Sequence, residues 1–234
     1  MGSSLPPDPR RAGQVSRTWR TGDANLIDLL VVYPDEVLNE AGGESALSAA
    51  ILGAVADANL CYRNSGLDLR LRLVHHAETN YDPSGVLNTD LERIKETADG
   101  YMDEVHGLRD LYGADLVALL TTPSDTGGLA NTMSSPSLNF EDSGFSVSVW
   151  DQIGAPSYTL AHEVGHNMGG LHNREDDETA DGEQDYDLFA FSFGKRWQLS
   201  WHWRARCTCR LRTGVKFNKR RNVRECLRLS FDDG

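Results

Sequence analysis

Short apolar segments that alternate with helix-forming segments constrain the fold of this chain more than any other feature. The segments IDLLVVYP, from Ile27, and ADLVALLT, from Ala114, are rich in β-forming residues and have the length of buried strands. Between them, the alanine-rich segment from Glu44 contains no proline and ends at Asn64-Ser65-Gly66, which predicts a helix. Strands separated by helices predict an α/β fold with a twisted, mostly parallel sheet and crossover helices.

The segment LDLRLRLVHH, from Leu67, alternates between leucine and polar residues. This period of two predicts a strand with the leucines on a buried face and with Asp68, Arg70 and Arg72 on a solvated face.

Three further elements follow along the chain. The charge pattern of residues 88–105 predicts an exposed helix that begins at Thr89 or Asp90 as its cap. The glycine-led segment TGGLANTMSS, from Thr126, predicts an irregular edge strand, and FSVSVW, from Phe145, predicts the last strand before a histidine-rich helix.

Composition limits the class of protein. With 234 residues, 39% of them hydrophobic and 25% charged, the chain is long and apolar enough to form one globular domain with extensions. It has no run of 18 apolar residues, so we expect no membrane partner. Residues 1–24 lack the apolar centre of a secretory signal and are interpreted as a flexible leader or the remnant of a precursor.

The charge distribution divides the chain. Residues 195–234 carry a net charge of +9, whereas the rest of the chain carries −21. The basic end also holds three of the four cysteines and three of the five tryptophans. We therefore expect an acidic folded domain followed by a basic tail of unclear fold over residues 197–234.

The segment LAHEVGHNMGGLHN, residues 160–173, predicts a helix that presents histidines. Ser157 is a candidate cap for a helix over residues 158–168, which Gly169 and Gly170 end. The apolar residues recur every fourth position and should face the core; they are Leu160, Val164 and Met168.

His162 and His166 are four residues apart, so they share the helix face that points away from the apolar stripe. Two imidazoles one turn apart can bind one zinc ion, and the turn at Gly169 allows His172 to return as a third ligand. Three nitrogen ligands leave one position open for water, which is typical of a catalytic zinc. Glu163 is rotated away from the ligands and is a candidate general base for that water.

The spacing H-E-x-x-H-x-x-G-x-x-H resembles the extended zinc signature of the metzincin endopeptidases, and HEVGHNMGGLHN is most similar to the reprolysin (adamalysin) branch and related secreted bacterial enzymes. The resemblance extends to the segments IDLLVVYPDEVLNEAGG, RNSGLDLRLRLVH, DGYMDEVHGLRDLYGADLVALL and SVWDQIGAPSYTLAHEVGHNMG. It implies a metzincin-like catalytic domain over about residues 25–196.

The resemblance also implies a function. Zinc would be held by His162, His166 and His172, with Glu163 as the general base. Residues 127–133 would be the edge strand along which a peptide substrate adds as an extra strand. We accordingly expect a secreted, monomeric zinc metalloendopeptidase that acts on proteins or peptides and has no nucleic-acid partner.

The sequence departs from the family in two places. Asn173 follows the third histidine, where reprolysins usually have aspartate. Metzincins have a methionine turn beneath the zinc site, downstream of the third histidine, but no methionine follows His172 in this chain. We therefore expect an atypical C-terminal part whose residues beyond about 200 do not form a compact subdomain.

Several other polar features are interpreted as structural. These are His75, His76, His106 and His202. The acidic segment 174–187 is either a calcium-binding loop or, as we favour, a solvated loop. The spacing of Cys207, Cys209 and Cys226 is not that of a zinc ribbon.

Two alternative functions remain from the sequence. One is an inactive or truncated metzincin relative that binds zinc and peptides without efficient hydrolysis. The other is a nucleic-acid-binding protein that uses the basic tail, which the acidic body opposes. Chelator-sensitive proteolysis distinguishes the enzyme from the first alternative.

Overall fold

A computed structural model of the chain describes residues 26–65, 67, 69–124, 126–134, 138–173 and 193–194. The predicted leader (residues 1–24), the acidic segment (residues 174–187) and the tail (residues 197–234) lie outside the described residues. Their predicted properties, including the calcium loop and the absence of a compact C-terminal subdomain, therefore stay predictions.

Strands and helices alternate along the described chain. In order they are β1 (Leu26–Tyr33), α1 (Asp35–Glu40), α2 (Glu44–Asn64), β2 (Arg70–Glu78), α3 (Leu87–Lys95), α4 (Glu104–Tyr112), β3 (Leu116–Thr121), β4 (Gly128–Ala130), β5 (Phe145–Val149), α5 (Thr159–Asn167), β6 (Leu171–Asn173) and β7 (Phe193–Gly194). Short 3₁₀ turns precede and follow β5, at Leu138–Ser143 and Trp150–Gln152.

The main sheet has five strands in the order β2-β1-β3-β5-β4. Strands β2, β1, β3 and β5 are parallel, whereas β4 is antiparallel to β5 and lies at the edge. The predicted α/β class with a mostly parallel sheet is confirmed, as is the edge strand beginning near Thr126.

Helices cover both faces of this sheet. Leu29 and Val31 of β1 belong to the core beneath α2 and α5, while Leu30 and Val32 belong to the core beneath α3 and α4. Because successive side chains of a strand point to opposite faces, a strand covered on both faces is apolar at nearly every position. This accounts for the apolar composition of β1, in which Asp28 is the one charged residue.

Helix α2 is long and apolar enough, by length and composition, to cross a membrane. In this structure one side of it packs against the sheet and α5. The buried residues are Leu47, Ile51, Ala54, Val55, Ala58, Cys61 and Tyr62. Packing as a core helix of the α/β domain is sufficient to explain its apolar composition.

The prediction of one helix over residues 88–105 was wrong. The structure has two helices, and the chain leaves α3 in an extended conformation at Glu96 and turns through Gly100, whose φ is +87°. Neither Thr89 nor Asp90 caps α3, because its N-cap is Val86. Asp90 is instead fully buried and accepts hydrogen bonds from the Tyr81 hydroxyl and from the Ser84 amide of the preceding loop.

Arg72, on the predicted solvated face of β2, also has a buried partner. The Arg72 guanidinium makes a two-pronged ion pair with Asp28, in which Nε lies 2.7 Å from Oδ1 and a terminal nitrogen 2.7 Å from Oδ2. Asp28 is fully buried in β1. Arg72 therefore compensates a buried charge, which the alternating pattern of one strand cannot reveal because the partner lies 44 residues away.

Candidate active site

The histidine-bearing helix α5 is held in the core by its apolar side. Leu160 and Val164 are fully buried, and the Tyr62 hydroxyl of α2 donates to the Ala161 carbonyl over 3.0 Å. The predicted Ser157 cap was wrong: the N-cap is Tyr158, which has a left-handed conformation (φ +57°) and no side-chain capping bond. The left-handed residue turns the chain into the helix without a side-chain acceptor.

The C-terminal end of α5 turns at Gly169, as predicted. Gly169 has φ +83°, and a Cβ there would lie 3.3 Å from the Met133 carbonyl oxygen. The Gly170 amide returns to the Gly165 carbonyl over 2.9 Å. This turn reverses the chain, so that β6 brings His172 back beside the helix.

The Nε2 atoms of three histidines converge at one point. The His162 and His166 nitrogens lie 3.1 Å apart, and each lies 3.1–3.2 Å from the nitrogen of His172. Nitrogen ligands about 2.1 Å from one tetrahedral zinc ion are separated by roughly 3.4 Å, so the observed spacing fits a shared ion. The three sequence-predicted histidines are therefore together, and they could hold a metal ion.

The protonation of His166 favours this interpretation. Its Nδ1 donates to the Gly170 carbonyl over 2.7 Å, which leaves a lone pair on Nε2. Burial, together with the nearby His162, lowers the pKa of His166 to about 4. His166 is thus neutral at physiological pH and offers a lone pair rather than a proton to its neighbours.

Glu163 lies next to the histidine cluster in sequence but is not part of the cluster. Its side chain is 5% exposed, and burial raises its pKa to about 8. Among the described residues, the group of metal-ligand atoms that lie close together contains the three histidines and no carboxylate. Glu163 nevertheless lines the same cavity, so it is within the site without belonging to the ligand set.

This cavity has a volume of about 790 Å³ and opens between α5 and the edge strand β4. Most residues of its walls have small side chains. The walls consist of Thr126, Gly127, Gly128, Leu129, Ala130, Asn131, Thr132, Ser134, Ser157, Thr159, His162, Glu163, His166 and His172. In the part of the wall that the structure describes, Glu163 is the only acidic side chain, and no lysine or arginine is present.

The edge strand directs some of its backbone hydrogen-bonding groups away from the sheet, and among these the Gly128 carbonyl accepts a long bond (3.4 Å) from the Thr126 hydroxyl. The Val149 amide donates to the Gly127 carbonyl over 2.9 Å, and Leu129 is paired with Val147. Because bonded and non-bonded pairs alternate in an antiparallel ladder, the backbone groups of Gly128 and Ala130 point away from β5. An extended peptide could therefore pair with β4 along the cavity.

The remaining histidines have structural partners, as predicted. His75 stacks on Tyr112 with ring centroids 3.9 Å apart, and His76 lies 3.3 Å from the Tyr33 hydroxyl. His106 lies 2.9 Å from the Glu96 carbonyl. None of the three lines the cavity. His202 lies outside the described residues.

Sequence reasoning missed two residues of this site. Asn167 is fully buried and joins α5 to the cleft wall, and Gly128 packs directly against Glu163. The Gly127-Gly128 pair indicates that another part of the protein or a ligand packs closely against this backbone, but the sequence does not identify which.

Comparison with known proteins supports the family assigned from the motif. Residues 48–173 match the metallo-peptidase family M12B, described as reprolysin-like. The chain is 32% identical to a peptidyl-Asp metalloendopeptidase of Xanthomonas campestris pv. campestris over 198 residues, which are 84% of this chain and 43% of that protein. A protein of the same name from Stenotrophomonas maltophilia is 32% identical over 178 residues, or 76% of this chain and 40% of that protein.

The chain thus spans less than half the length of these curated relatives. A solved structure described as a chaperone-substrate complex shares the fold at a TM-score of 0.53, with 28% identity over 65% of this chain and 25% of that one. The family match covers more than half of the chain, including all three converging histidines, and this protein belongs to the reprolysin-like metallo-peptidase family M12B.

Proposed function

We propose that this protein is a zinc-dependent metalloendopeptidase in which His162, His166 and His172 hold the zinc ion and Glu163 is the general base. One observation carries the proposal: three imidazole nitrogens converge within 3.2 Å, and the one on His166 has no proton to donate. A cluster of lone pairs is unfavourable without a cation between them, and imidazole nitrogens suit zinc.

Glu163 would move the proton in this reaction. A bound zinc ion would supply Lewis acidity, which makes water a nucleophile near neutral pH and polarises a carbonyl group. The water oxygen forms a bond to the peptide carbon while Glu163 accepts the released proton. As the carbon–nitrogen bond breaks, Glu163 passes that proton to the leaving nitrogen, which departs as an amine.

The desolvated position of Glu163 suits this role. Its pKa of about 8 without a metal means that the carboxyl group readily holds a proton, and a nearby cation would favour the ionised form that accepts one. A general base works best when its pKa is close to the operating pH.

The substrate is a peptide in extended conformation. We infer that it pairs with the outward backbone groups of Gly128 and Ala130, which would place its scissile bond beside Glu163 and the histidines. Both relatives described above are named peptidyl-Asp metalloendopeptidases, and we therefore propose that the preferred bonds lie at aspartate residues.

The domain bounds, the location and the oligomeric state are proposed from the family. We propose that residues 25–196 form the peptidase domain and that the protein acts outside the cell as a monomer. The family and the relatives' names support the peptidase assignment of this domain.

The proposal is tested with a quenched fluorescent peptide that contains one aspartate, alongside the same peptide with asparagine in its place. The purified chain should cleave the aspartate peptide, lose the activity in chelator, and regain it when zinc is restored. The control variant is His75→Gln, which changes a histidine outside the cavity and should remain active.

Each result has a distinct meaning. Zinc binding without hydrolysis of any peptide would contradict the enzyme and support a peptide-binding relative. Equal cleavage of both peptides would leave the peptidase but reject the preference for aspartate.

A further inference from the structure

The edge strand and the histidine helix come into close contact at Gly128. A Cβ built on Gly128 would lie 2.6 Å from Oε1 and 2.7 Å from Cγ of Glu163. It would also lie 2.6 Å from the Thr159 methyl group. Real side chains do not tolerate such distances, so only glycine fits here while Glu163 keeps its present position.

The conformation of Gly128 does not itself require glycine. Its φ lies outside the left-handed range, in a strand that any residue can adopt. Thr159 and Glu163 are four residues apart on α5, so both face the same strand. Position 128 therefore requires glycine because α5 packs closely against it, and not because the strand has an unusual backbone conformation there.

The same glycine also belongs to the substrate edge. Its amide and carbonyl groups point away from β5, towards the position of an added strand. A Cβ at this position would point towards Glu163. Gly128 therefore sets the distance between the paired peptide and the Glu163 carboxyl group.

We propose that Gly128 is a positioning residue that fixes the Glu163 carboxyl group beside the peptide bound on β4, with the Thr159 methyl group as the opposite side of the contact. This inference rests on the proposed peptidase function. A methyl group at position 128 must displace Glu163, because Thr159 is β-branched and nearly buried and cannot turn aside easily.

The first arm of the test measures stability without metal or substrate. Urea unfolding midpoints are compared for the wild type, Gly128→Ala, Glu163→Ala and the double variant. Gly128→Ala should lower the midpoint in the wild-type background and lower it clearly less when Glu163 is alanine, since truncation removes two of the three close contacts. Equal lowering in both backgrounds would overturn the proposal.

The second arm measures turnover in the zinc-loaded protein. Gly128→Ala should keep its zinc and lose about 10- to 100-fold in kcat, as is common when a residue supporting a catalytic group is changed. The change in KM should be much smaller. The matched variant is Gly127→Ala, whose added methyl would meet only the flexible end of Gln152 closely, at 2.8 Å, and which should lose far less in kcat.

A third arm separates positioning from obstruction of the peptide. Peptide affinity is measured by fluorescence anisotropy in Glu163→Gln, with and without Gly128→Ala, because this background should not cleave the peptide. The two affinities should agree within about threefold, as expected for a change confined to transition-state stabilisation. A loss of affinity as large as the loss of kcat would show that the methyl group blocks the substrate, and would overturn the proposal.

The two proposals fail in different ways. A wild-type chain without chelator-sensitive hydrolysis would reject the peptidase function and, with it, any role of Gly128 in catalysis. An active wild type with Gly128→Ala within twofold of its kcat would leave the peptidase and reject the positioning role alone.

Discussion

The side-chain amide of Asn167 donates to the main-chain carbonyl of Asn131 over 2.9 Å, and this bond joins the histidine helix to the chain that follows the edge strand. The same amide group also donates to the Phe145 carbonyl of β5 over 3.0 Å. Asn167 is fully buried and directly follows His166. Asn167 therefore helps to fix the distance between the histidine-bearing face of α5 and the wall on which the substrate is expected to pair.

Replacing this amide should cost stability. Asn167→Ala leaves two carbonyl groups without their donor, and a buried unsatisfied group costs about 1–3 kcal/mol in the free energy of unfolding. We also expect a higher KM, because the cleft wall loses one of its links to α5 and keeps only others such as the Met133 amide to the His166 carbonyl. Urea unfolding and peptide kinetics measure the two effects.

The control for this change is Asn39→Ala. Asn39 donates to Asp35 over 2.9 Å on the exposed side of α1, and its removal should change stability by no more than about 0.5 kcal/mol. Equal losses for the two variants would contradict the special role of Asn167.

The metal content is the second prediction. The chain should bind one zinc ion, and His162→Ala, His166→Ala or His172→Ala should each abolish tight binding because two imidazoles alone hold zinc weakly. Metal analysis after dialysis measures the stoichiometry. His106→Gln, which alters a histidine outside the cavity, should keep the metal. Full zinc occupancy in the variant that lacks both His162 and His166 would reject this site.

The parts of the site that were predicted from the sequence are local in the chain. The shared face of His162 and His166 follows from helical periodicity, and the return of His172 follows from a glycine turn three residues after the helix histidine. The sheet was also predictable, because β1 and β3 are almost entirely apolar, with Asp28 and Thr121 as exceptions, and are separated by helices.

The parts that were not predictable depend on contacts between distant segments. Asp90 matches a capping residue by type, but the Tyr81 hydroxyl and the Ser84 amide draw it into the core. The sequence pattern places Arg72 on a solvated strand face, but only the structure shows that it pairs with the buried Asp28. Gly128 meets Glu163 only because β4 packs over α5, which is information about tertiary structure.

The third prediction separates the roles of Glu163 and the histidines. Glu163→Ala should keep one zinc ion per chain while losing nearly all hydrolysis, since the carboxyl group lies outside the cluster of ligand atoms. Metal analysis and peptide turnover are measured on the same preparation. Stoichiometric loss of zinc in this variant would mean that Glu163 is a ligand or a structural residue, and the proton-transfer mechanism would be wrong.

The last prediction concerns the pH dependence of stability in the metal-free protein. Burial raises the pKa of Glu163 from its ordinary value of 4.5 to about 8 in the folded chain. Below the lower value the carboxyl group is protonated in both the folded and unfolded states, so it adds no pH dependence. Between the two values the unfolded chain releases the proton and the folded chain keeps it, so stability falls as the pH rises.

Glu163→Gln should therefore stabilise the metal-free protein more at pH 8 than at pH 4.5, with the gain growing between these values and levelling off above them. Urea unfolding in chelator at a series of pH values measures the difference from the wild type. Glu36→Gln, at an exposed position of α1, is the control and should show no growing gain. A gain that stays constant with pH would mean that Glu163 is already ionised in the folded protein. The Glu163 carboxyl group would then be solvated. In that case the close packing of Gly128 and Thr159 would not keep water away from it.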